Sequence, residues 1–314
     1  MSYLSRKMSL GGGLKGWVIE CPGRHLEETT LEEVLADIRS IGAKTLKDEV
    51  LDYGIFAKRT ANKALDNSVL TVIYDKNGQA VGFNCMPMLE IDIHGETETV
   101  IHLGLVMVDP TTRSRGVSGM LYGFACILLL VRRQFRPIWV SSVTQVPAVV
   151  GLVSELYSKT FPTPHKQTKR SFTHLQIARR IMAHHREAFG VGPEAVFDQE
   201  KFIIQNAYTG GSDNLKKMYD DAPKHRNEIY NAMCRDELDY ARGDDFLQIG
   251  VLDNAALRHY FLRKNPDSLL FGAFMAVMFF TIQSLFLPAL YWFDSSKQWG
   301  ELRPWKAEDT KVNA

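Results

Sequence analysis

A short basic loop that joins a strand to a helix carries the clearest chemistry in this sequence. The segment runs from Val106 to Gly119 and reads Val-Met-Val-Asp-Pro-Thr-Thr-Arg-Ser-Arg-Gly-Val-Ser-Gly. A loop that enters a helix presents several backbone N–H groups together, and the helix start adds about half a positive charge. Gly116 leaves room for a ligand beside the backbone, and Arg113 and Arg115 add positive charge. The segment therefore predicts a cradle for a pyrophosphate group.

Three other phosphate-binding or catalytic loops are excluded. No G-x-x-x-x-G-K occurs in the chain, so this is not a Walker A loop, and the loop lacks the G-x-G-x-x-G spacing of dinucleotide-binding folds. A nucleophile elbow, G-x-S-x-G around Ser118, fails because position 120 is Met. Taken alone, the loop leaves open a plain strand-to-helix turn with exposed basic residues.

The elements that must position this loop alternate between strand and helix patterns. Ser68–Asp75 is β-branched and apolar, and Gln79–Glu90 returns after a Lys-Asn-Gly turn, which predicts a hairpin. Thr97–Val108 is predicted as the strand that leads into the loop. The segments predicted to follow are an apolar helix, a strand and a second helix, at Met120–Val131, Ile138–Val143 and Val146–Tyr157.

This arrangement resembles the GNAT superfamily of acyl-CoA-dependent N-acyltransferases. The family's loop pattern is Gln or Arg, two residues, Gly, one residue, and then Gly or Ala. Arg113 and Gly116 match this pattern, and Ser118 stands where Gly or Ala is usual.

A second family pattern lies further along the chain. The family commonly carries Ala-x-x-Leu-Tyr-x-x-x-Gly-Phe after its fifth strand. Here Leu156, Tyr157 and Phe161 match it, and Thr160 replaces Gly. The resemblance covers residues 28–164 and implies an α/β fold with a GNAT-type mixed, mostly antiparallel sheet flanked by helices.

The resemblance implies an acyl donor, either acetyl-CoA or a longer acyl-CoA. The residues that would hold it are those of the strand end, the loop and the helix start. They are Val106, Val108, Arg113, Ser114, Arg115, Gly116, Val117, Ser118 and Gly119.

The implied reaction is direct attack of an amine on the acyl thioester. A backbone N–H of the splayed fourth strand would stabilise the thioester oxygen. Tyr157 matches the family's general acid for the departing thiolate, although a tyrosine packed at a helix end is the alternative. His102 stands near the family's base position, with Glu98 as second choice, and a strand histidine on a half-buried face is the alternative for His102.

Composition excludes several classes of protein. Lys and Arg number 37 against 36 Asp and Glu, so the whole surface is not built for nucleic acid. The four cysteines are far apart and predict reduced thiols. No H-E-x-x-H or C-x-x-C occurs, so no metal site is predicted.

The pattern divides the chain into four regions. Residues 14–164 form the acyltransferase domain, 165–264 are predicted as a helical extension, 268–293 as a hydrophobic segment, and 294–314 as a polar tail. Ser268–Phe293 carries no charge over 26 residues, and its first twenty would make a helix about 30 Å long. We therefore expect a membrane location with the catalytic domain on the cytoplasmic side; a buried helix or an element lying in one leaflet is the alternative.

Three functional hypotheses remain. The leading one is a membrane-associated N-acyltransferase whose acceptor is a small-molecule, lipid-like or protein amine. A non-catalytic GNAT-fold module that senses CoA or binds a partner is the second. The third is a soluble acetyltransferase in which the helical extension mediates dimerisation.

Overall fold

The computed structural model describes residues 3–46, 51–57, 61–115, 117–165, 167–258, 277–278, 281–286 and 289. Within these residues, eleven strands join one sheet. The strands are β1 Ser5–Gly11, β2 Leu14–Glu20, β3 Ser68–Tyr74, β4 Ala80–Ile93, β5 Glu96–His102, β6 Val106–Val108, β7 Ile138–Thr144, β8 Ser158–Phe161, β9 Val196–Asp198, β10 Ile203–Gln205 and β11 Asp245–Leu252.

The sheet is mixed and mostly antiparallel. Its order is β1-β2-β3-β4-β5-β7-β11-β10-β9, with β6 paired to β4 and β8 paired to β11. One pair, β5 with β7, is parallel, with Ile101 opposite Val140 and His102 opposite Ser141. A parallel pair needs a crossover connection, and the helix that follows β6 supplies it. The predicted mixed, mostly antiparallel α/β sheet is confirmed.

Helices cover both faces of the sheet. The α-helices of the described residues are α1 Pro22–His25, α2 Glu28–Leu46, α3 Ala61–Asp66, α4 Val117–Arg132, α5 Pro147–Leu156, α6 Phe172–His184 and α7 Glu228–Glu237. Because side chains alternate along a strand, neighbours on β3 serve different cores. Val69 packs in the core under α4, whereas Leu70 packs in the core under α2. On β4, Leu89 packs with Ile177 of α6, so α2 and α6 share one face and α4 and α5 cover the other.

The region 165–264 is not the helical extension that the sequence predicts. It contributes β9, β10 and β11 to the same sheet, and Leu247 of β11 packs in one core with Leu89 of β4. All eight residues of β11 are buried. A strand buried on both faces has no alternation of polar and apolar residues, so its sequence pattern does not predict a strand.

The predicted membrane location, with the catalytic domain on the cytoplasmic side, is wrong. Among the described residues, no helix combines the length and the apolar character that crossing a bilayer requires. Most of 268–293 and all of 294–314 lie outside the described residues. Within the hydrophobic segment the structure describes a five-residue π-helical turn, Ile282–Phe286.

Candidate functional site

A β-bulge separates β5 from β6. Met88 of β4 lies opposite Ile101, and Asn84 lies opposite Val106. Between these pairs the chain advances four residues along β4 but five along the opposing strand. One extra residue on one strand bends it and increases its twist. The single strand predicted over Thr97–Val108 is therefore two strands that point in different directions.

Gly104 sits at the bulge, where the backbone approaches β4 closely. A Cβ at this position would lie 2.2 Å from the carbonyl oxygen of Cys85 and 2.9 Å from Cδ of Pro87. Pro87 has no N–H to offer to the strand opposite, which suits a point where pairing is interrupted. Only glycine fits at position 104, because any Cβ there would overlap the backbone of β4.

Beyond the bulge, the chain no longer pairs with β7, the parallel neighbour of β5. The last backbone hydrogen bond between the parallel strands runs from Leu103 N to Ser141 O, at 2.6 Å. In the described part of the chain, β6 pairs with β4 alone. Its odd-numbered residues face β4, since Cys85 N donates to Leu105 O and Asp109 N donates to Val81 O. By the alternation of an antiparallel ladder, the peptide groups of Val106 point into the opening between the strands.

A cavity of about 600 Å³ lies at this opening. Its walls include His102 and Val143, whose side chains point to the α6 face, and Leu103 and Ser142, whose side chains point to the α4 face. Successive residues of a strand point to opposite faces. The cavity is therefore lined from both faces of the sheet, at the place where two parallel strands separate. Its volume is in the range of small-molecule sites.

The predicted pyrophosphate loop begins at Asp109, which anchors it. Oδ1 of Asp109 accepts hydrogen bonds from the backbone N–H and the hydroxyl of Thr111, at 2.9 and 2.7 Å. Oδ2 pairs with Nζ of Lys44 at 2.9 Å. The hydrogen bonds from Thr111, then that from Lys44, lower the pKa of Asp109 to about 2. Because its charge is paired, Asp109 does not oppose an anion at the loop.

The remaining loop residues lie around the start of α4. Pro110–Arg115 forms a 3-10 turn, and Val117, fully buried, begins α4 beside Gly82. Gly119 is exposed, and no other atom lies within 4 Å of where its Cβ would be. Gly116 and the side chains of the predicted cradle residues Arg113, Ser114, Arg115 and Ser118 lie outside the described residues.

His102 lines the cavity, as a base candidate must. Its Nδ1 shares a hydrogen bond of 3.0 Å with Ser141 Oγ, and its ring stacks on Phe189 with centroids 4.7 Å apart. Burial lowers the pKa of His102 to about 3. The imidazole is thus neutral at neutral pH and a weak base. Glu98, four residues earlier on β5, is exposed and does not line the cavity.

Tyr157 lies away from the cavity walls. It follows α5, is 7% exposed, and its hydroxyl lies 3.4 Å from Cys126 Sγ of α4. A second tyrosine, Tyr122, does line the cavity and donates to Gly104 O at 3.3 Å. Burial raises the pKa of the Tyr122 phenol, so it stays protonated. Sequence reasoning missed Tyr122, although it lies one helical turn after Ser118.

A buried carboxylic acid that the sequence pattern does not reveal lies at the far wall. Asp245, the first residue of β11, lines the cavity together with Tyr208 and Tyr53. The Tyr208 hydroxyl donates to Asp245 Oδ1 at 2.9 Å. Asp245 ends a segment rich in both charges, Arg235–Asp245, whose composition is typical of a solvated surface. Burial of a single acid inside such a segment leaves no pattern in the sequence.

Comparison with known proteins gives matches in structure alone. No family model matches the chain, and none of the curated proteins matches it. A probable N-acyltransferase from Enterococcus faecalis V583 is 12% identical with a TM-score of 0.32, over 51% of this chain and 33% of that protein. A ribosomal-protein-S5-alanine acetyltransferase from Vibrio fischeri is 10% identical with a TM-score of 0.32, over 80% and 98%.

A third structure is a GNAT family N-acetyltransferase from Escherichia coli in complex with CoA. It is 17% identical with a TM-score of 0.23, over 48% of this chain and 66% of that protein. These three structures are described as N-acyltransferases or acetyltransferases, one of them of the GNAT family, and all three have TM-scores below 0.5. The chain spans one third of the length of the Enterococcus protein.

Proposed function

We propose that this protein is an N-acyltransferase that moves an acyl group from acyl-CoA to an amine. The observation that carries the proposal is the cavity lined from both faces of the sheet, between two parallel strands that separate after the Leu103–Ser141 hydrogen bond. Such an opening lets a thioester reach from one face an amine that enters from the other. Direct transfer between two bound substrates needs this geometry, because it replaces a bimolecular encounter by positioning.

The donor side is the edge of β6 and the start of α4. The peptide groups of Val106 and Val108 offer N–H and C=O partners to the amide-containing arm of CoA. Arg113, Ser114, Arg115, Gly116, Val117, Ser118 and Gly119 form the proposed pyrophosphate cradle. Electrostatics support this end for the anion, since the positive end of the α4 dipole lies there.

The chemistry follows from the opening. The amine nitrogen attacks the thioester carbon, and an N–H at the bulge is suited to the oxygen that becomes negative. The C–N bond forms, the C–S bond breaks, and the thiolate takes a proton. Tyr157 is the candidate acid from the sequence; Tyr122 is better supported by position, because its hydroxyl lies at the cavity wall. Of the two base candidates, His102 lines the cavity and Glu98 does not.

A second candidate function is a CoA-binding module without catalysis. It is favoured by the position of Tyr157, whose hydroxyl lies against Cys126 and away from the cavity. Release of CoA thiol from acetyl-CoA in the presence of primary amines separates the two. An enzyme releases thiol only when both are present, whereas a binding module does not release it.

The experiment is calorimetric titration of the full chain with acetyl-CoA and with palmitoyl-CoA. A variant carrying Arg113→Glu and Gly116→Glu is titrated beside the wild type. Arg39→Glu, a charge reversal at an exposed position of α2, is the control. We expect binding by the wild type and by the control, and a loss of at least about tenfold in the double variant. Equal affinity in all three proteins would refute the cradle, and no binding by the wild type would refute the function.

A further inference from the structure

Asp245 is a buried carboxyl group that the fold leaves half satisfied. The residue is 4% exposed and lines the cavity. Its Oδ1 accepts the hydrogen bond from Tyr208. Within the described residues, Oδ2 has no hydrogen-bond partner. A buried carboxylate needs a cation or several donors to offset its desolvation, so this oxygen is available to a ligand.

The neighbouring acid, Asp244, differs from Asp245 in that both of its carboxylate oxygens have partners within the fold. Asp244 is 1% exposed, and Arg242 binds its two oxygens from Nε and NH2, both at 2.7 Å. The backbone N–H groups of Asn206 and Asp239 also donate to it. Asp244 therefore carries its own cation within the fold. Asp245, the next residue, has none among the described residues.

The position of Asp245 in the sheet also places it at the same cavity as the strand proposed to hold the donor. Phe246 is opposite Thr144, so Asp245 lies beside Gln145, one residue further along. β11 pairs with β7, the strand on the other side of the opening from β6, and both Val106 and Asp245 line the cavity. Asp245 thus lies across the opening from the β6 edge proposed to hold the donor.

We infer that Asp245 binds the ammonium group of the acceptor and takes its first proton. This deepens the proposed function and rests on it: the acceptor enters as a cationic primary amine. The ammonium N–H bond breaks and the proton moves to Asp245 Oδ2, which leaves a neutral amine with a lone pair. That pair forms the C–N bond and the thiolate leaves with a proton from the Tyr122 hydroxyl. The second proton of the nitrogen restores Tyr122, and Asp245 returns its proton to water.

The surroundings of Asp245 agree with this role. Burial raises its pKa to about 7, the Tyr208 hydrogen bond acts in the opposite direction, and Asp244 raises it further. A base with a pKa near the working pH is the most effective proton acceptor. The other ionisable groups that act on Asp245 or line the cavity wall are Tyr53, Tyr122, Tyr240, Cys85, His102, His185, Glu90, Lys63 and Lys217. The two lysines and Glu90 are exposed, so they lie toward solvent.

The test compares hexylamine with hexanol, two probes of one length that differ in charge. Their dissociation constants are measured at about pH 8 for the wild type, Asp245→Asn and Glu32→Gln. Asparagine keeps the acceptor for Tyr208 and removes the charge, and Glu32 is an exposed acid of α2. We expect the wild type and Glu32→Gln to prefer hexylamine by about tenfold or more, and Asp245→Asn to lose the preference. No preference in the wild type, or an equal preference in Asp245→Asn, would overturn the inference.

A second variant covers the case in which Asp245→Asn does not fold. Tyr208→Phe removes the hydrogen bond that favours the ionised carboxylate, so the pH midpoint of hexylamine binding should move upward. An unmoved midpoint would contradict the assignment. Acetyl-CoA binding is measured on the same samples. Its loss with the amine preference intact refutes the proposed function alone, whereas retained CoA binding without amine preference refutes the Asp245 site alone.

Discussion

The Tyr122 hydroxyl of α4 donates a hydrogen bond to the carbonyl oxygen of Gly104, at 3.3 Å. This contact ties the helix after the loop to the bulge that separates β5 from β6. The next residue, Leu105, is held to β4, where Cys85 N donates to the Leu105 carbonyl oxygen. The bulge is thus tied to α4 through Gly104 and to β4 through Leu105.

Gly104→Ala should therefore damage the fold at the opening. The new methyl would meet the Cys85 carbonyl oxygen at 2.2 Å, and backbone cannot move aside as a flexible side chain can. We expect the free energy of unfolding to fall by about 3 kcal/mol or more, measured by urea denaturation. Gly119→Ala is the matched control, since its methyl meets nothing within 4 Å and alanine favours a helix. Equal stability of the two variants would show that the bulge tolerates a side chain.

The two tyrosines near the donor side differ in what their removal should do. Tyr122→Phe removes a hydroxyl at the cavity wall, so we expect kcat to fall by about tenfold or more in a thiol-release assay. Tyr157→Phe removes a hydroxyl that contacts Cys126, so we expect kcat to change by less than about threefold. The larger loss in Tyr157→Phe would instead support the acid role predicted from the sequence.

Local patterns in the sequence were enough to predict the elements around the opening. The hairpin over Ser68–Asp75 and Gln79–Glu90 is observed as β3 and β4, and the helix over Met120–Val131 as α4. Each of these elements is predicted by a periodicity within its own residues. The bulge at Gly104 has no such local signal, because the need for glycine arises from contact with Cys85, which is distant in the sequence.

The acceptor side of the cavity could not be predicted from the sequence, for a related reason. Asp245 is buried only because β11 inserts between β7 and β10, a tertiary arrangement. Charged residues in a mixed run are usually solvated, and nothing local separates Asp245 from Asp244 beside it. The role of His102 likewise depends on its burial against Phe189, which the strand pattern does not contain.

The pH dependence of kcat/KM should report Asp245 and not His102. Burial holds the pKa of His102 at about 3, so its charge does not change between about pH 5 and pH 9. The pKa of Asp245 is about 7, so the rate should fall as the pH drops through that value and the carboxylate is protonated. We expect His102→Ala to keep this acid limb and Asp245→Asn to abolish it. A limb that disappears in His102→Ala would return the base role to the histidine.

Asp245 should also impose a cost on the fold that depends on pH and needs no substrate to be seen. The pKa is about 7 in the folded chain against an ordinary value of 3.8, so the folded state keeps a proton that the unfolded state loses. Below about pH 4 both states are protonated and Asp245→Asn should match the wild type. As the pH rises to 7 the wild type loses stability relative to the variant. The shift of about three units sets the difference at the order of 4 kcal/mol above pH 7. Urea denaturation of both proteins at pH 4, 6 and 8, with Glu32→Gln as the exposed control, measures it. A difference that stays constant over this range would mean that the Asp245 carboxyl ionises normally in the fold.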